Sequence, residues 1–588
     1  MGIPAYMSYI MKNYGNMIHS IQYHKKGNLP FDSLYMDCNS IIYDVYNTML
    51  NNNEVIVEDN IIQYVIQKID NYIMTIRPTS TLFIAFDGVA PFSKMEQQRL
   101  RRYKTWHMST FTPFRIEDAQ SVSPSTIPKE TAPEGGVLKE RKDEKMCNMN
   151  GEPPKKGGWS TSSITPGTLF MNQLSKQVKC YFEGELNEKK YGIHKIIVTG
   201  SDEVGEGEQK IFKYIRNHSH LDKNVFVYGL DSDLIMLSIF HSDRCKNIFV
   251  FREEIEYRKS KIDTKNNCKD NQNPRELLFL DIRRLSDSIS IEMNGKEMVY
   301  DNNCIYDYLI LCFFLGNDFL PHFPSLNIRT NGIHWLIDTY KEVIGKHRER
   351  SFISKEHNNK GKIQWKWLKK FIESISKKEK QMLLNEYSAR DKMDYYKWPQ
   401  TTKEEKENVL NNTPVIYRAE EKYICPTENM WEERYYKILF DMERTPENLE
   451  KITTHYLEGI EWVYKYYTDD CPDWKWKYHY NYPPLFVDMV KYIPEKEIDF
   501  IHSSNKKYAS KTPFAPYLQL SYVLPEVNHF LLDEKKKDYL KENYHCLFPE
   551  EIIYKWAFCR YFFESHMLLP DIDVCVLEKL EKELAILS

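Results

Sequence analysis

Apolar residues in the first 330 positions come in short runs that end in acids: SLYMDCNS, TLFIAFDG, KIIVTGSDE and VFVYGLDSD. Each run has the length and the β-branched and aromatic content of a buried strand. NIFVFREE reads as a further strand. Between the runs lie stretches of helical periodicity, among them Asn60 to Ile76 and Glu208 to Arg216. Strands alternating with helices predict an α/β fold with a mostly parallel sheet. Ligands of such sheets bind outside the carboxyl ends of the strands, and Asp37, Asp87, Asp202, Asp231 and Asp233 fall there.

Patterning breaks down between about Thr112 and Ser160, where Pro, Gly, Ser, Lys and Glu dominate (SVSPSTIPKETAPEGGVLKERKDEK, NGEPPKKGG). This composition cannot pack a core and predicts a flexible insertion. RKSKIDTKNNCKDNQNPRE predicts a second surface excursion. From about Lys341 to Glu421 the chain is lysine-rich, and an aromatic-dense region follows from Trp431 to Leu485. No internal repeat is found. Two units are expected, 1–340 and 341–588, because 588 residues exceed what one core normally supports.

Composition narrows the partners only a little. The net charge of −4 gives no bulk attraction to nucleic acid, so a polyanion must be held by a local basic patch or through metal ions. Twelve cysteines without a C-x-x-C pair argue against a zinc module and against a secreted disulfide framework. An intracellular location is expected, the cytoplasm ahead of the nucleus. The opening MGIPAYMSYIMKNYG has no signal-peptide pattern and carries Tyr6 where a myristoylation signal wants Ser or Thr. No apolar run approaches a membrane span.

Carboxylates are the candidate chemistry: Asp37, Asp87, Glu206 with Glu208, Asp231 with Asp233, and Asp318 in FFLGNDFLP. One aspartate after a strand is commonly a helix N-cap, and an acidic run such as SDEVGEGE is commonly solvated. Repetition at several strand ends favours a shared site. Gly205 and Gly207 permit close backbone approach around Glu206. So many acids at one sheet edge call for hard cations, and Mg²⁺ suits all-oxygen donors. Two such ions stabilise the attacking and leaving oxygens of an in-line phosphoryl displacement. With no histidine or cysteine among the candidates, zinc is disfavoured.

VAPFSKMEQQRLRRYKT follows Asp87 directly. On a helix beginning near Ser93, Lys94, Gln98, Arg101 and Arg102 share one face while Arg99 points elsewhere. That face is either a solvated basic surface or a phosphate clasp.

These residues resemble the XRN family of 5′-to-3′ exoribonucleases. The matching blocks are MGIPAYMSYI, LYMDCNSIIY, FIAFDGVAPFSKMEQQRLRR, SSITPGTLFM, EVGEGEQKI, VYGLDSDLIML, FFLGNDFLPHFPSL, WEERYYKILF and WKWKYHYNYPPL, in family order along nearly the whole chain. The resemblance implies a flap-endonuclease-like (PIN-like) α/β nuclease core, wrapped by a mainly helical C-terminal region that narrows the site to a pocket. It implies that Asp37, Asp87, Glu206, Glu208, Asp231, Asp233 and Asp318 are catalytic magnesium ligands, with Mn²⁺ able to substitute. Lys94, Gln98, Arg101 and Arg102 would hold the 5′-monophosphate of single-stranded RNA, and Pro91 with the N-terminal segment would part duplex. The family histidine that stacks on the terminal base is here Tyr43, opposite Trp474 or Trp476; an aromatic platform tolerates any base. WKWKYHYNYPPL also reads as an ordinary aromatic core segment. The usual EVPGEGEHK lacks its proline and has Gln209 for histidine. The chain stops soon after the second conserved region, as a short form would.

The expected activity is release of nucleoside 5′-monophosphates from 5′-monophosphorylated RNA. The alternatives are a flap-type DNA 5′ nuclease sharing the metal site, or a catalytically inactive RNA-binding protein. LPHFPSLNIRTNGIHWL lacks the glycine pair of the helix-hairpin-helix expected of the flap class.

Overall fold

The computed structural model describes residues 2–27, 29–110, 159–229, 231–253, 276–294, 302–347, 349–354, 361–503, 510–549 and 552–587. The insertion expected at about 112–160, and nearly all of the second excursion, lie outside the described residues.

Seven strands form the main sheet: β1 (Ile18–Ser20), β2 (Ser33–Asp37), β3 (Thr81–Ala85), β4 (Lys195–Thr199), β5 (His220–Tyr228), β6 (Cys245–Glu253) and β7 (Leu277–Asp281). Their order is β1-β7-β6-β5-β2-β3-β4. β2 to β6 run parallel, and β7 is antiparallel to both β6 and β1. Every residue of β2 and β3 is buried, as apolar runs covered on both faces must be. Strands β2 to β6 were readable from the sequence within a few residues. The short β1 and β7, which close one edge, were not.

Side-chain alternation divides the core between the two faces. Leu34 and Met36 of β2 point to one face, where α1 (Asn39–Asn51), α2 (Glu58–Ile76) and later α4 (Leu169–Phe182) pack. Tyr35 points to the other, toward α5 (Gly207–Asn217), α6 (Ser232–Phe240) and α7 (Asn302–Phe313). α2 shows the apolar stripe that its spacing predicts, with Ile62, Ile66, Ile69 and Ile73 buried.

The chain order places α3 (Phe92–Thr110) between β3 and the described residues after 158. The C-terminal half is mainly helical and includes α8 (Trp365–Asp391), α9 (Pro446–Thr468), α10 (Pro516–Val523) and α11 (Val574–Ile586). Thr445 caps α9 by accepting from Asn448 N–H, and Pro446 takes the first turn. One apolar core runs from Ile3 through Leu336, Tyr340 and Trp365 to Trp462 and Ile501, so packing is continuous across residue 340. Among the described residues no helix is long and apolar enough to cross a membrane.

Candidate active site

Neighbours β5, β2, β3 and β4 lie side by side and parallel, so their carboxyl ends deliver acids to one place. Chain connections reverse direction beside β2, the position at which open α/β sheets form a crevice. Asp37 ends β2, Asp87 lies two residues beyond β3, Glu206 and Glu208 open α5, and Asp231 and Asp233 open α6. Asp318 arrives from the turn after α7.

The N-cap alternative does not describe these acids. Cys38, not Asp37, is the cap residue of α1. Glu206 and Asp231 occupy cap positions, yet neither side chain caps its helix.

One oxygen from each of Asp37, Asp87 and Glu208 falls within 4.8 Å of the others. Asp87 is held rigidly. Its Oδ1 accepts from Gly207 N–H at 2.7 Å and its Oδ2 from Asn39 Nδ2 at 2.6 Å, while its own N–H donates to Asn39 Oδ1 at 3.1 Å. Asp37 Oδ1, by contrast, is buried without a hydrogen-bond partner. A Cβ on Gly207 would stand 2.6 Å from that oxygen, which explains the glycine between the two glutamates. The loop before it pairs with the segment after β3, Gly88 N–H donating to Gly205 O and Gly205 N–H to Val89 O, each at 2.9 Å.

A second group forms around Lys94 of α3. Its ammonium contacts Glu206 Oε1 at 2.6 Å and Asp318 Oδ2 at 2.8 Å. Tyr466 of α9 donates to Glu206 Oε2 at 2.7 Å, and Tyr467 donates to Asp233 Oδ1 at 2.8 Å. Gly2 N–H reaches Asp318 Oδ1 at 3.1 Å, and a Cβ on Gly2 would meet Asp233 Oδ1 at 2.7 Å. Asp231 stands exposed at the rim.

Burial, then mutual repulsion, pushes the Asp37 and Glu208 carboxyls well above their usual range, Asp37 against Asp87 and Glu208 against Glu206. Asp87 is raised for the same reasons. Asp233 is pushed up to about 6 by burial and by Asp318. Burial would raise Asp318 too, but the Lys94 ammonium beside it holds its carboxyl well below the ordinary range. Lys94 itself loses solvation, yet Asp318 and Glu206 keep it well above the usual lysine value.

Such a cluster fits a hard divalent cation. The donors are oxygens, several carboxyls are starved of compensating charge, and a buried acceptor on Asp37 waits for a partner.

The remaining residues of the expected phosphate clasp are placed apart from Lys94's acids. Gln98 accepts from Gln519 Nε2 at 3.1 Å. Arg101 is exposed and lies over the Tyr43 ring, 5.8 Å from its centroid. Arg102 donates to Ile164 O at 3.0 Å, and burial lowers its pKa. Arg99 does point elsewhere: it is 1% exposed and donates to Tyr522 OH, Pro570 O and Leu547 O. Pro91 is buried, its carbonyl accepting from Lys94 and Met95 N–H.

Trp476 cannot be the base platform. It is 1% exposed and stacked on Trp462 at 5.1 Å, the aromatic-core alternative for this segment. Trp474 is half-buried. The carbonyls of Trp474 and Trp476 accept from Phe92 and Ser93 N–H, capping α3 from the C-terminal region.

Several participants were missed from the sequence. Lys210 is buried and donates to Phe86 O and Gly200 O, tying the ends of β3 and β4 together; burial lowers it to about 8. Asn39 stands two residues after Asp37, a local signal that was available. Tyr466 and Tyr467 lie more than 200 residues from the acids they touch, and no local pattern announces them.

Two family models match the chain. The XRN 5′-3′ exonuclease N-terminus matches residues 1–254, and the Xrn1 helical domain matches residues 299–430 and 417–577. Among curated relatives, 5′-3′ exoribonuclease 1 of Saccharomyces cerevisiae is 25% identical over 94% of this chain and 41% of its own length. The 5′-3′ exoribonuclease 2 of Debaryomyces hansenii is 25% identical over 100% of this chain and 70% of its own length. That of Gallus gallus is 25% identical over 97% and 69%. The chain thus spans from under half to about two thirds of the length of these relatives. With its acids gathered at the parallel strand ends and both models matched in order, the chain belongs to the XRN family of 5′-3′ exonucleases.

Proposed function

We propose that this chain is a 5′-to-3′ exoribonuclease that hydrolyses 5′-monophosphorylated single-stranded RNA to nucleoside 5′-monophosphates, using magnesium. The observation that carries the reading is the closure of the carboxylate cluster by α9: Tyr466 and Tyr467 bond to Glu206 and Asp233 from above the sheet. A site so covered admits a strand end more readily than the middle of a chain.

Asp37, Asp87, Glu206, Glu208, Asp231, Asp233 and Asp318 are the residues that would hold the cations. When bound, magnesium supplies charge neutralisation at the phosphodiester and a lowered pKa for an attacking water. Asn39 and Gly207 N–H fix the Asp87 carboxylate, and the two tyrosines fix Glu206 and Asp233. Lys94 neutralises part of the cluster and is free to turn to a phosphate once cations take over its acids. Gln98, Arg101 and Arg102 line α3 beyond it, and the half-buried Arg102 guanidinium meets a backbone carbonyl rather than a carboxylate. That arrangement suits a terminal phosphate. Tyr43, under Arg101, offers a stacking face for the first base, with Trp474 the candidate opposite.

Matched RNAs bearing 5′-monophosphate, 5′-triphosphate or 5′-hydroxyl ends test this in magnesium. Only the monophosphate substrate should release nucleoside 5′-monophosphates. Equal degradation of the 5′-hydroxyl RNA would overturn the specificity, and internal cleavage of a labelled DNA flap would point to a flap nuclease instead.

A further inference from the structure

α3 has a second face. Ser93, Gln97, Leu100 and Lys104, spaced four, three and four apart, line a cavity of 570 Å³ whose walls also include Asp231 and Asp318. It follows the helix from Ser93 to Lys104, eleven steps and about 16 Å at 1.5 Å per residue. Its far wall comes from the C-terminal region and includes His566, which stands with His322 and Lys104 at that end. The 5′-phosphate clasp proposed above uses a neighbouring face of α3, about a third of a turn round the helix. For a strand whose first phosphate lies there, with its scissile phosphate at the carboxylates, this cavity is an exit that starts at the site's own acids.

The chemistry at the far end is specific. Lys104 is half-buried, and its ammonium donates to one backbone oxygen, Phe563 O, at 3.1 Å. The nearby carboxylate, Glu564, is taken by Arg329 at 2.6 Å. Neither the His322 nor the His566 imidazole has a hydrogen-bond partner among the described residues; His566 rests edge-on against Tyr482. Burial holds both rings neutral, so each offers one donor and one acceptor. A ribose 2′-hydroxyl is likewise donor and acceptor, and a phosphodiester asks for a cation.

We propose that the cavity is the bed of the RNA strand 3′ of the scissile phosphate, and that its far end grips one downstream nucleotide, Lys104 by the phosphate and His322 with His566 by the 2′-hydroxyl. This rests on the exoribonuclease reading. At about 3.4 Å per stacked nucleotide the grip falls about five nucleotides beyond the cut.

The test is binding of fluorescent 5′-phosphorylated oligonucleotides in chelator, where nothing is cleaved, by wild type, Lys104→Met, Lys104→Arg and His566→Phe, with thermal melting as the folding control. Wild type should bind an RNA octamer more tightly than its DNA counterpart. Lys104→Met should weaken both about tenfold and reduce the salt slope by about 0.7, Lys104→Arg should restore both, and His566→Phe should narrow the RNA preference. A dinucleotide too short to reach should bind all variants alike. His322→Gln replaces His566→Phe if the latter does not fold. Wild-type affinity and salt slope in a folded Lys104→Met, or equal losses on the dinucleotide, overturn the proposal while leaving the exoribonuclease reading intact. Failure of wild type to bind or degrade any 5′-phosphorylated RNA defeats that reading, and this one with it.

Discussion

In a Gly207→Ala variant the new methyl carbon would stand 2.6 Å from Asp37 Oδ1, 3.3 Å from Asp37 Cγ and 3.5 Å from Asp87 Oδ1. Ordinary Cβ contacts begin near 3.4 Å, so the Asp37 oxygen must retreat by the difference from 2.6 Å, about 0.8 Å. That oxygen has no hydrogen bond to lose, so its retreat breaks none. Folding is therefore spared. The position is helical, where alanine is preferred to glycine by up to about 1 kcal/mol. Asp87 keeps its bond from the amide of residue 207. Catalysis is not spared, because a ligand moved by nearly 1 Å costs roughly 10²-fold in rate.

The assay pairs initial rates on 5′-phosphorylated RNA across a magnesium titration with thermal melting. The variant should melt at or near the wild-type temperature, with kcat down about a hundredfold and a raised magnesium midpoint. Wild-type kcat and midpoint would refute the close approach as the reason for the glycine. Gly205→Ala supplies the contrast: its nearest neighbour is Lys210 Cγ at 3.8 Å, but φ is +105°. There the cost is backbone strain of about 1 kcal/mol or more, paid in melting temperature rather than chemistry.

Tyr466→Phe and Tyr467→Phe each remove one hydroxyl from a site carboxylate; magnesium midpoints should rise at least about tenfold with the fold intact, measured as activity against metal concentration. Arg99→Met strips three bonds that tie α3 to the C-terminal region, leaving Pro570 O and Leu547 O without their donor; the expected loss of about 3–5 kcal/mol is read from denaturant unfolding. Burial lowers Lys104 to about 8, with Glu564 and Cys559 opposing the shift and the neutral His322 and His566 alongside. A lysine depressed in the folded state binds fewer protons there than when unfolded, so its contribution to stability rises with pH between about 8 and its ordinary value. Octamer binding should run the other way, falling as pH rises through 8 in wild type but not in Lys104→Arg.

The strands that matter to the site could be read because β2 and β3, and the carboxyl-terminal parts of β4 and β5, are buried, which removes polar alternation and leaves apolar runs ending in acids. The same logic grouped the acids: strand ends of one parallel sheet must meet. What the sequence could not convey is which side chain turns toward which neighbour. Lys94, on a basic helical face, reads as a phosphate ligand, yet its ammonium lies between Glu206 and Asp318. Trp474 and Trp476 are equivalent in a linear pattern, and only packing against Trp462 buries the second. Lys210, for which the sequence suggests no role, clamps two strand ends. Each of these outcomes is decided by contacts between segments far apart in sequence, where local periodicity carries no information.

That limit bears on how the molecule works. Every carboxylate of the site comes from the first 318 residues, yet their setting depends on the C-terminal half: α9 supplies Tyr466 and Tyr467, residues 474–476 cap the helix that carries Lys94, and Gln519 of α10 holds both Ala90 N–H and Gln98. An isolated sheet with these acids would be an open, mutually repelling rim, accessible to any strand. The second half converts it into a closed site by donating hydrogen bonds to the acids themselves, so narrowing the entrance and orienting the ligands are one act. On the exoribonuclease reading, selection of a strand end and competence to bind metal would be coupled through the same side chains. Loosening α9 should degrade both together, whereas changes at Arg101 and Arg102, which touch none of the acids, should alter substrate choice alone.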